Sequence, residues 1–170
     1  MAWSASAIFQ QAMLNPIAQG TVAVTGFPTS YKGLTYDTIN CALFLTGATP
    51  DKTAAVANTG YNAGQWVTGN EAAGSGNYTQ GGTALGSKTF SIDSGSSSFV
   101  FNAANPAWTS ATIASVFGCF VYDNTTSGGT VSKQGLCYNY FGGTQSVTSG
   151  TFTVIWATVG ATTAVFNITV

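Results

Sequence analysis

The sequence contains no histidine and no arginine, and charged residues make up only 5% of its 170 residues. Without histidine the chain lacks the commonest general base and metal ligand of proteins, and a Ser-His-Asp triad is excluded. A net charge of −1 gives no basic surface for nucleic acid. No apolar run reaches the roughly 18 residues that span a bilayer, and the first twenty residues lack the features of a signal peptide. We therefore expect no nucleic-acid partner, no membrane and no secretion.

The few acidic residues are dispersed along the chain. Asp37, Asp51, Asp93 and Asp123 each lie beside a predicted turn, where an aspartate side chain accepts hydrogen bonds from the local backbone. We favour this interpretation over a glycosidase-like carboxylate pair or a calcium loop, whose ligand spacing is missing. The sequence thus predicts no catalytic residue, no cofactor and no metal site, and we expect a protein that is not an enzyme.

Three cysteines, Cys41, Cys119 and Cys137, lie in or beside apolar runs. An odd number without a secretion signal favours reduced thiols. A thiol nucleophile would need a basic partner, and histidine is absent. We expect all three to be small buried hydrophobic residues.

The shortage of charge also bears on the surface of the protein. Net charge keeps soluble proteins apart, so a free monomer of this composition would be poorly protected from association. We expect much of the surface to be covered by copies of the chain or by partners. The alternative is a monomer whose surface consists of Ser, Thr, Asn and Gln.

The longest stretch without a strong turn residue is 108–123, WTSATIASVFGCFVYD, which is rich in β-branched and aromatic residues. It predicts a central strand with a bulge near Gly118. Shorter strands are predicted at 20–27, 38–45, 65–71, 88–92, 97–102, 135–141, 151–158 and 164–170, with a polar loop at 142–150. This spacing indicates an all-β fold, an antiparallel β-sandwich or flattened barrel of about eight to nine strands.

The N-terminal residues differ from the rest. Apolar residues in 6–14 recur at helical spacing, and Asn15-Pro16 would end a short helix. We divide the chain into an arm, residues 1–34, with this helix and the first strand, and a sandwich domain, residues 35–170. So short a helix needs a partner surface. We expect subunit contacts from the large apolar residues of the arm, namely Trp3, Ile8, Phe9, Met13 and Leu14.

Several aromatic residues invite a second interpretation. A sugar-binding surface could be lined by Tyr61, Trp66, Tyr78, Trp108, Tyr138 and Tyr140. Aromatic rings fill cores and interfaces equally well. For Trp66, Trp108 and Trp156 we favour the core or a subunit interface.

Two stretches carry a resemblance to a known kind of protein. The first joins YNAGQWVTGNE (61–71) to GSGNYTQGGTAL (74–85). The second joins FNAANPAWTSATIASVFGCFVYD (101–123) to GLCYNYFGGTQSVTSGTFTVIW (135–156). Together they resemble a recurrent family of tailed-bacteriophage virion proteins over residues 35–170, in turns and strand ends rather than in catalytic residues.

The resemblance implies a β-sandwich structural protein of the virion. We expect a capsid decoration, or cement, protein that bridges neighbouring subunits of the major capsid protein as a homo-oligomer, a trimer on a local three-fold axis. It would be made in the host bacterial cytoplasm and act on the capsid surface. The alternative is a tail or fibre component that binds a receptor or glycan through the aromatic residues of the 61–78 loops.

Overall fold

The computed structural model describes residues 3, 5–9, 30–160 and 162–169, and this part of the chain is all-β. Its strands are β1 (Ala7–Ile8), β2 (Ile39–Leu45), β3 (Thr83–Ala84), β4 (Thr89–Asp93), β5 (Ser98–Asn102), β6 (Ala107–Asp123), β7 (Gly135–Thr153), β8 (Ala157–Val159), β9 (Thr162–Ala164) and β10 (Phe166–Thr169). Two single-turn 3₁₀ helices cover Val56–Asn58 and Thr68–Asn70. No helix within the described residues has the length and hydropathy of a membrane span.

The strands form open antiparallel sheets. A five-stranded sheet has the order β1-β7-β6-β2-β3, a three-stranded sheet has the order β10-β5-β4, and β8 pairs with β9. No sheet closes on itself in the described part of the chain. The expected antiparallel all-β fold is confirmed, in the sandwich form rather than as a closed barrel.

The predicted central strand is the centre of the larger sheet. β6 pairs with β2 on one side and with β7 on the other. Its register shifts between Val116 and Gly118 against β7, which confirms the bulge expected near Gly118. Strand β2 and the hairpin of β4 and β5 also form as predicted.

Four local predictions are wrong. The predicted strand 151–158 is broken at residues 154–156, between β7 and β8. Residues 142–150 continue the strand β7, because they pair with the N-terminal half of β6. Residues 65–71 form no strand, since the chain turns through Thr68–Asn70. In the arm, Ala7 and Ile8 form a strand paired with Tyr138 and Cys137, not part of a helix. Met13, Leu14 and the predicted strand 20–27 lie outside the described residues.

The large sheet is covered on both faces, as expected for strands with continuous apolar runs. Cross-strand partners share a face. One face therefore carries the Cys41, Val121 and Cys137 row, and the other carries the Ala42, Phe120 and Tyr138 row. Beside the cysteine face, Cys137 and Asn139 line a cleft together with Phe166 of the smaller sheet.

The other face is covered by an aromatic cluster. Its rings are Trp3, Phe9, Phe44, Tyr61, Trp66, Phe120, Tyr122 and Tyr138. Trp66 stacks on Phe120 with ring centroids 4.3 Å apart. The indole N–H of Trp3 donates to the carbonyl of Leu45 at 3.0 Å. The described arm residues thus contribute two rings, Trp3 and Phe9, to the core of the same chain.

Candidate functional site

Four of the five acidic residues are engaged by neighbouring backbone, as the sequence predicts. Asp37 Oδ2 accepts from the N–H groups of Lys32 and Gly33 at 2.7 and 3.0 Å. Asp51, Asp93 and Asp123 each accept from the N–H two residues later at 2.8 to 2.9 Å. These side chains close turns.

The fifth acid, Glu71, is buried at the centre of a polar network that the sequence did not reveal. Its Oε2 accepts from the hydroxyl of Tyr61 at 2.7 Å. Its Oε1 accepts from the hydroxyl of Tyr78 and from the N–H of Gly81, both at 2.7 Å. Tyr78 in turn accepts from the N–H of Leu43 at 2.9 Å. The carboxylate therefore ties residues 61–81 to strand β2.

Tyr122 and Asn40 extend this network across the sheet. The Tyr122 hydroxyl and the Asn40 amide both donate to the carbonyl of Gly81, at 2.8 and 3.1 Å. Tyr61 stacks on Tyr122 with ring centroids 4.7 Å apart. We call this set, Glu71 with Tyr61, Tyr78, Gly81, Tyr122 and Asn40, the glutamate network.

The electrostatics of the glutamate network follow from burial. Burial raises the pKa of Glu71, while the donors Tyr61, Tyr78 and Gly81 lower it in part. Burial and the Glu71 carboxylate raise the pKa of Tyr61 and Tyr78 far above the ordinary tyrosine value. Neither described cleft includes Glu71 in its lining. The network holds residues 61–81 on the sheet.

A second buried polar site joins Asp37 to Asp123. Burial first, and then the neighbouring Asp37 carboxylate, raise the pKa of Asp123 to about 7, against the donors Thr125 and Thr126. Asp123 Oδ2 is buried and has no hydrogen-bond donor among the described residues. A protonated Asp123 carboxyl can donate to Asp37. Lys88 lies close by and donates through Nζ to the main-chain carbonyl of Asp37.

The three cysteines are buried with free thiols, which confirms the expected buried positions. Burial raises the pKa of Cys41 and Cys137 well above the ordinary thiol value, so these thiols stay protonated. Asn139 Nδ2 lies 3.9 Å from Cys119 Sγ and 3.7 Å from Cys137 Sγ. Among the described residues, no group of three His, Cys, Asp or Glu side chains is arranged to hold a metal ion.

The predicted subunit-contact residues divide into two groups. Trp3 and Phe9 are buried in the aromatic cluster of their own chain, and Ile8 is half-buried against the core. Met13 and Leu14 lie outside the described residues. The rings of Trp3 and Phe9 are therefore occupied within one chain, and the prediction of subunit contacts from the arm stays a prediction.

The aromatic residues considered for sugar binding are also placed by the structure. Tyr61, Trp66, Tyr78, Trp108 and Tyr138 are buried, and only Tyr140 is half-exposed. Trp156 is likewise buried, so the three tryptophans favoured for the core or an interface lie in the core. The 61–78 loops present no exposed aromatic platform from these residues.

The motif segments behind the virion resemblance are joined to one another. Asn105 Oδ1 accepts from the N–H of Trp156 at 3.2 Å, and the Trp156 indole donates to the carbonyl of Ala104 at 3.2 Å. The N–H of Val154 donates to the carbonyl of Pro106 at 3.0 Å. FNAANPAW therefore holds GTFTVIW beside it, just as YNAGQWVTGNE and NYTQGG meet at Glu71. Both pairs of motifs specify the fold.

The surface carries clefts and exposed apolar side chains instead of an acid–base site. A cleft of about 580 Å³ opens between the β1 edge and β10, with Trp156 and Phe166 among its apolar residues and Lys52 as its charged one. The large exposed apolar side chains are Tyr36, Phe90, Ile92, Phe99 and Ile155. These are the described features through which the chain could meet a partner.

No protein-family model, no curated protein and no solved structure matches this chain.

Proposed function

We propose that the chain is a structural protein of a tailed-bacteriophage virion, acting as a capsid decoration protein that bridges neighbouring capsid subunits. It contributes no chemistry: its acids close turns or hold the core, and we propose no enzymatic role. Its partners are copies of itself and the major capsid protein, and its place of action is the capsid surface.

The observation that carries this proposal is the composition of the surface. Of the four lysines and five acids, Asp37, Glu71 and Asp123 are buried. The four lysines with Asp51 and Asp93 leave six charged side chains for the whole exterior. Large apolar side chains are exposed beside them. A surface with so little charge is suited to burial against other proteins, as a densely packed shell requires.

The shared motifs support the same conclusion. Buried networks and strand contacts account for the residues that carry the resemblance, including Glu71, Asn105 and Trp156. A pattern made of residues that hold turns and strands together suits an architectural role. The alternative of a glycan-binding tail module has no comparable support, because five of the six rings proposed for it are buried and Tyr140 is only half-exposed.

The test uses capsids of the phage that encodes this chain, prepared with and without the protein. We expect capsids without it to rupture at a lower temperature, and purified protein added back to restore the rupture temperature. A matched decoration assay with an unrelated capsid controls for non-specific adsorption. Failure of the purified protein to bind its own capsids would refute the proposal.

A further inference from the structure

Among the described residues, strand β4 is an open edge of the smaller sheet. It pairs there with β5 on one side and ends the order β10-β5-β4. Residues 89–92 are exposed along the whole strand, on both faces of the sheet. A strand of this kind presents unpaired backbone N–H and C=O groups that another strand can use.

An apolar face reaches this edge. Cross-strand partners form two rows, Phe90–Phe101–Phe166 and Ile92–Phe99–Ile168. Phe101 and Phe166 are buried, but Phe90, Ile92 and Phe99 are 47%, 72% and 37% exposed. Exposure thus rises from the core toward β4. The apolar face therefore extends to side chains that no described residue covers.

Between its charged ends, the edge lacks the features that usually prevent pairing. Exposed edges are protected by lysine, proline, bulges or very short strands. Between Lys88 and Asp93 the sequence is Thr-Phe-Ser-Ile, without charge, proline or glycine. Its pairing with β5 is regular over five consecutive residues.

We propose that β4 pairs with β4 of a second copy of this chain, antiparallel and about a two-fold axis at Ser91. In this register Phe90 faces Ile92 of the partner subunit, and Thr89 faces Asp93 of the partner subunit. The polar and apolar faces of both strands then coincide. Lys88 and Asp93 mark opposite ends of the strand, so antiparallel pairing brings unlike charges to the same end, whereas parallel pairing would bring like charges together.

The two-fold contact joins two small sheets into one continuous six-stranded sheet and extends the apolar face across the axis. An isologous contact of this kind uses the same patch on both copies. A two-fold contact cannot by itself form the expected trimer, so in such an assembly it would join one trimer to another.

Disulfide trapping tests the register. In Ser91→Cys the two Cβ atoms lie directly opposite at about 4.5–5.5 Å, close to disulfide reach. In Thr89→Cys the same atoms are about 13 Å apart, four residues along the strand. All three native thiols are buried. We expect mild oxidation to cross-link Ser91→Cys rapidly and Thr89→Cys slowly. Equal rates, or no cross-link in Ser91→Cys, would overturn the proposal.

A charge at the edge tests the contact without any cross-link. Ile92→Lys places a charge at the proposed interface, and Thr144→Lys places the same charge at an exposed residue of β7 in the larger sheet, outside both clefts. We expect sedimentation velocity to show half the wild-type mass for Ile92→Lys and an unchanged mass for Thr144→Lys. Unchanged mass in both variants would show that something else, such as residues 10–29 of the same chain, covers this face, and would overturn the proposal.

Discussion

For a carboxylate as buried as that of Glu71, the loss of hydrating water costs several kcal/mol of free energy unless hydrogen-bond donors replace it. Here Tyr61, Tyr78 and Gly81 supply three donors at 2.7 Å. Hydrogen bonds to a charged group are short and strong, and their geometry is specific. The glutamate network therefore fixes where residues 61–81 rest on the sheet.

Removing one hydroxyl from this network should be costly. Tyr78→Phe leaves the N–H of Leu43 without a partner and removes one of the two donors to Glu71 Oε1, so we expect a loss of about 1–3 kcal/mol in the free energy of unfolding. Urea denaturation measures this loss in the free energy of unfolding. The control is Tyr36→Phe, since Tyr36 is exposed and its change should be near zero. Equal effects of the two changes would contradict the role assigned to Tyr78.

The acid pair predicts how stability depends on pH. The pKa of Asp123 is about 7 in the folded chain, against an ordinary value of 3.8. Between these values the folded chain holds a proton that the unfolded chain releases, so stability falls as pH rises from about 4 to 7 and then levels off. Thermal unfolding across this pH range should show a decreasing Tm.

Asp123→Asn provides the control for this pH effect. The amide mimics the protonated acid, because it can donate to Asp37 while its oxygen accepts from Thr125 and Thr126. We expect this variant to have a flatter dependence of Tm on pH than the wild type. A slope equal to that of the wild type would place the titrating group elsewhere.

At the scale of strands, Gly118 allows the arm to reach the core. A Cβ at this position would lie 2.4 Å from the Trp3 ring and 2.4 Å from the carbonyl oxygen of Asn139. We expect Gly118→Ala to displace Trp3 and to lower the free energy of unfolding by about 1–3 kcal/mol. Tryptophan fluorescence and urea denaturation report both effects. Gly86→Ala, where a Cβ meets no atom within 4 Å, is the control and should change stability by less.

The ribbon of β6 and β7 is bent by bulges at which serine adopts a left-handed conformation. Ser110, Ser115 and Ser149 have φ of 52°, 59° and 49°. This conformation costs a non-glycine residue roughly 1–2 kcal/mol. We expect Ser115→Gly to stabilise the fold by about 0.5–1 kcal/mol. The adjacent Ala114→Gly, at an ordinary φ, should destabilise it by about 0.5–1 kcal/mol. If calorimetry shows that both substitutions stabilise the fold, or that both destabilise it, the backbone strain assigned to Ser115 is refuted.

Strands that have β-branched and aromatic residues along their own length could be predicted from the sequence. The β-branched and aromatic residues of β6 are sufficient to predict a strand. Gly118 within it is sufficient to predict a bulge. The β7 segment 142–150 is rich in Gly, Ser and Thr, which is typical of a loop. It is a strand only because β6 lies beside it, with Ile113 opposite Val147 and Val116 opposite Gln145. Such non-local pairing leaves no pattern in the segment itself.

The glutamate network could not be predicted from the sequence for a similar reason. Glu71 follows Asn70 in a segment that alternates like a strand, and its donors Tyr61, Tyr78 and Gly81 come from separate turns. Only the fold brings them together. The turn-closing aspartates were predictable, because their donors lie two residues away or a few residues before.

For the whole molecule, the position of Trp3 and Phe9 changes how the arm should be tested. Both rings belong to the core of their own chain. Deleting the arm would therefore remove core contacts as well as any subunit contact, and loss of assembly would not separate the two. The edge variant Ile92→Lys and its control Thr144→Lys avoid this difficulty, because both side chains are exposed.

The virion proposal depends on the low charge of the whole surface. Six charged side chains spread over 8002 Å² of accessible surface give little protection from association. The open edge of β4 and the cleft between β1 and β10, which Ile155 lines, lie at opposite edges of the smaller sheet. A protein of this kind is best suited to a place where several neighbours cover it at once.

The most direct measurement is gold-labelled antibody against this chain on intact virions of the phage that encodes it, observed by negative-stain electron microscopy. Capsid decoration predicts label distributed over the head, and no label on virions assembled without the protein. Label confined to the tail tip or fibres, or virions without label, would contradict the account.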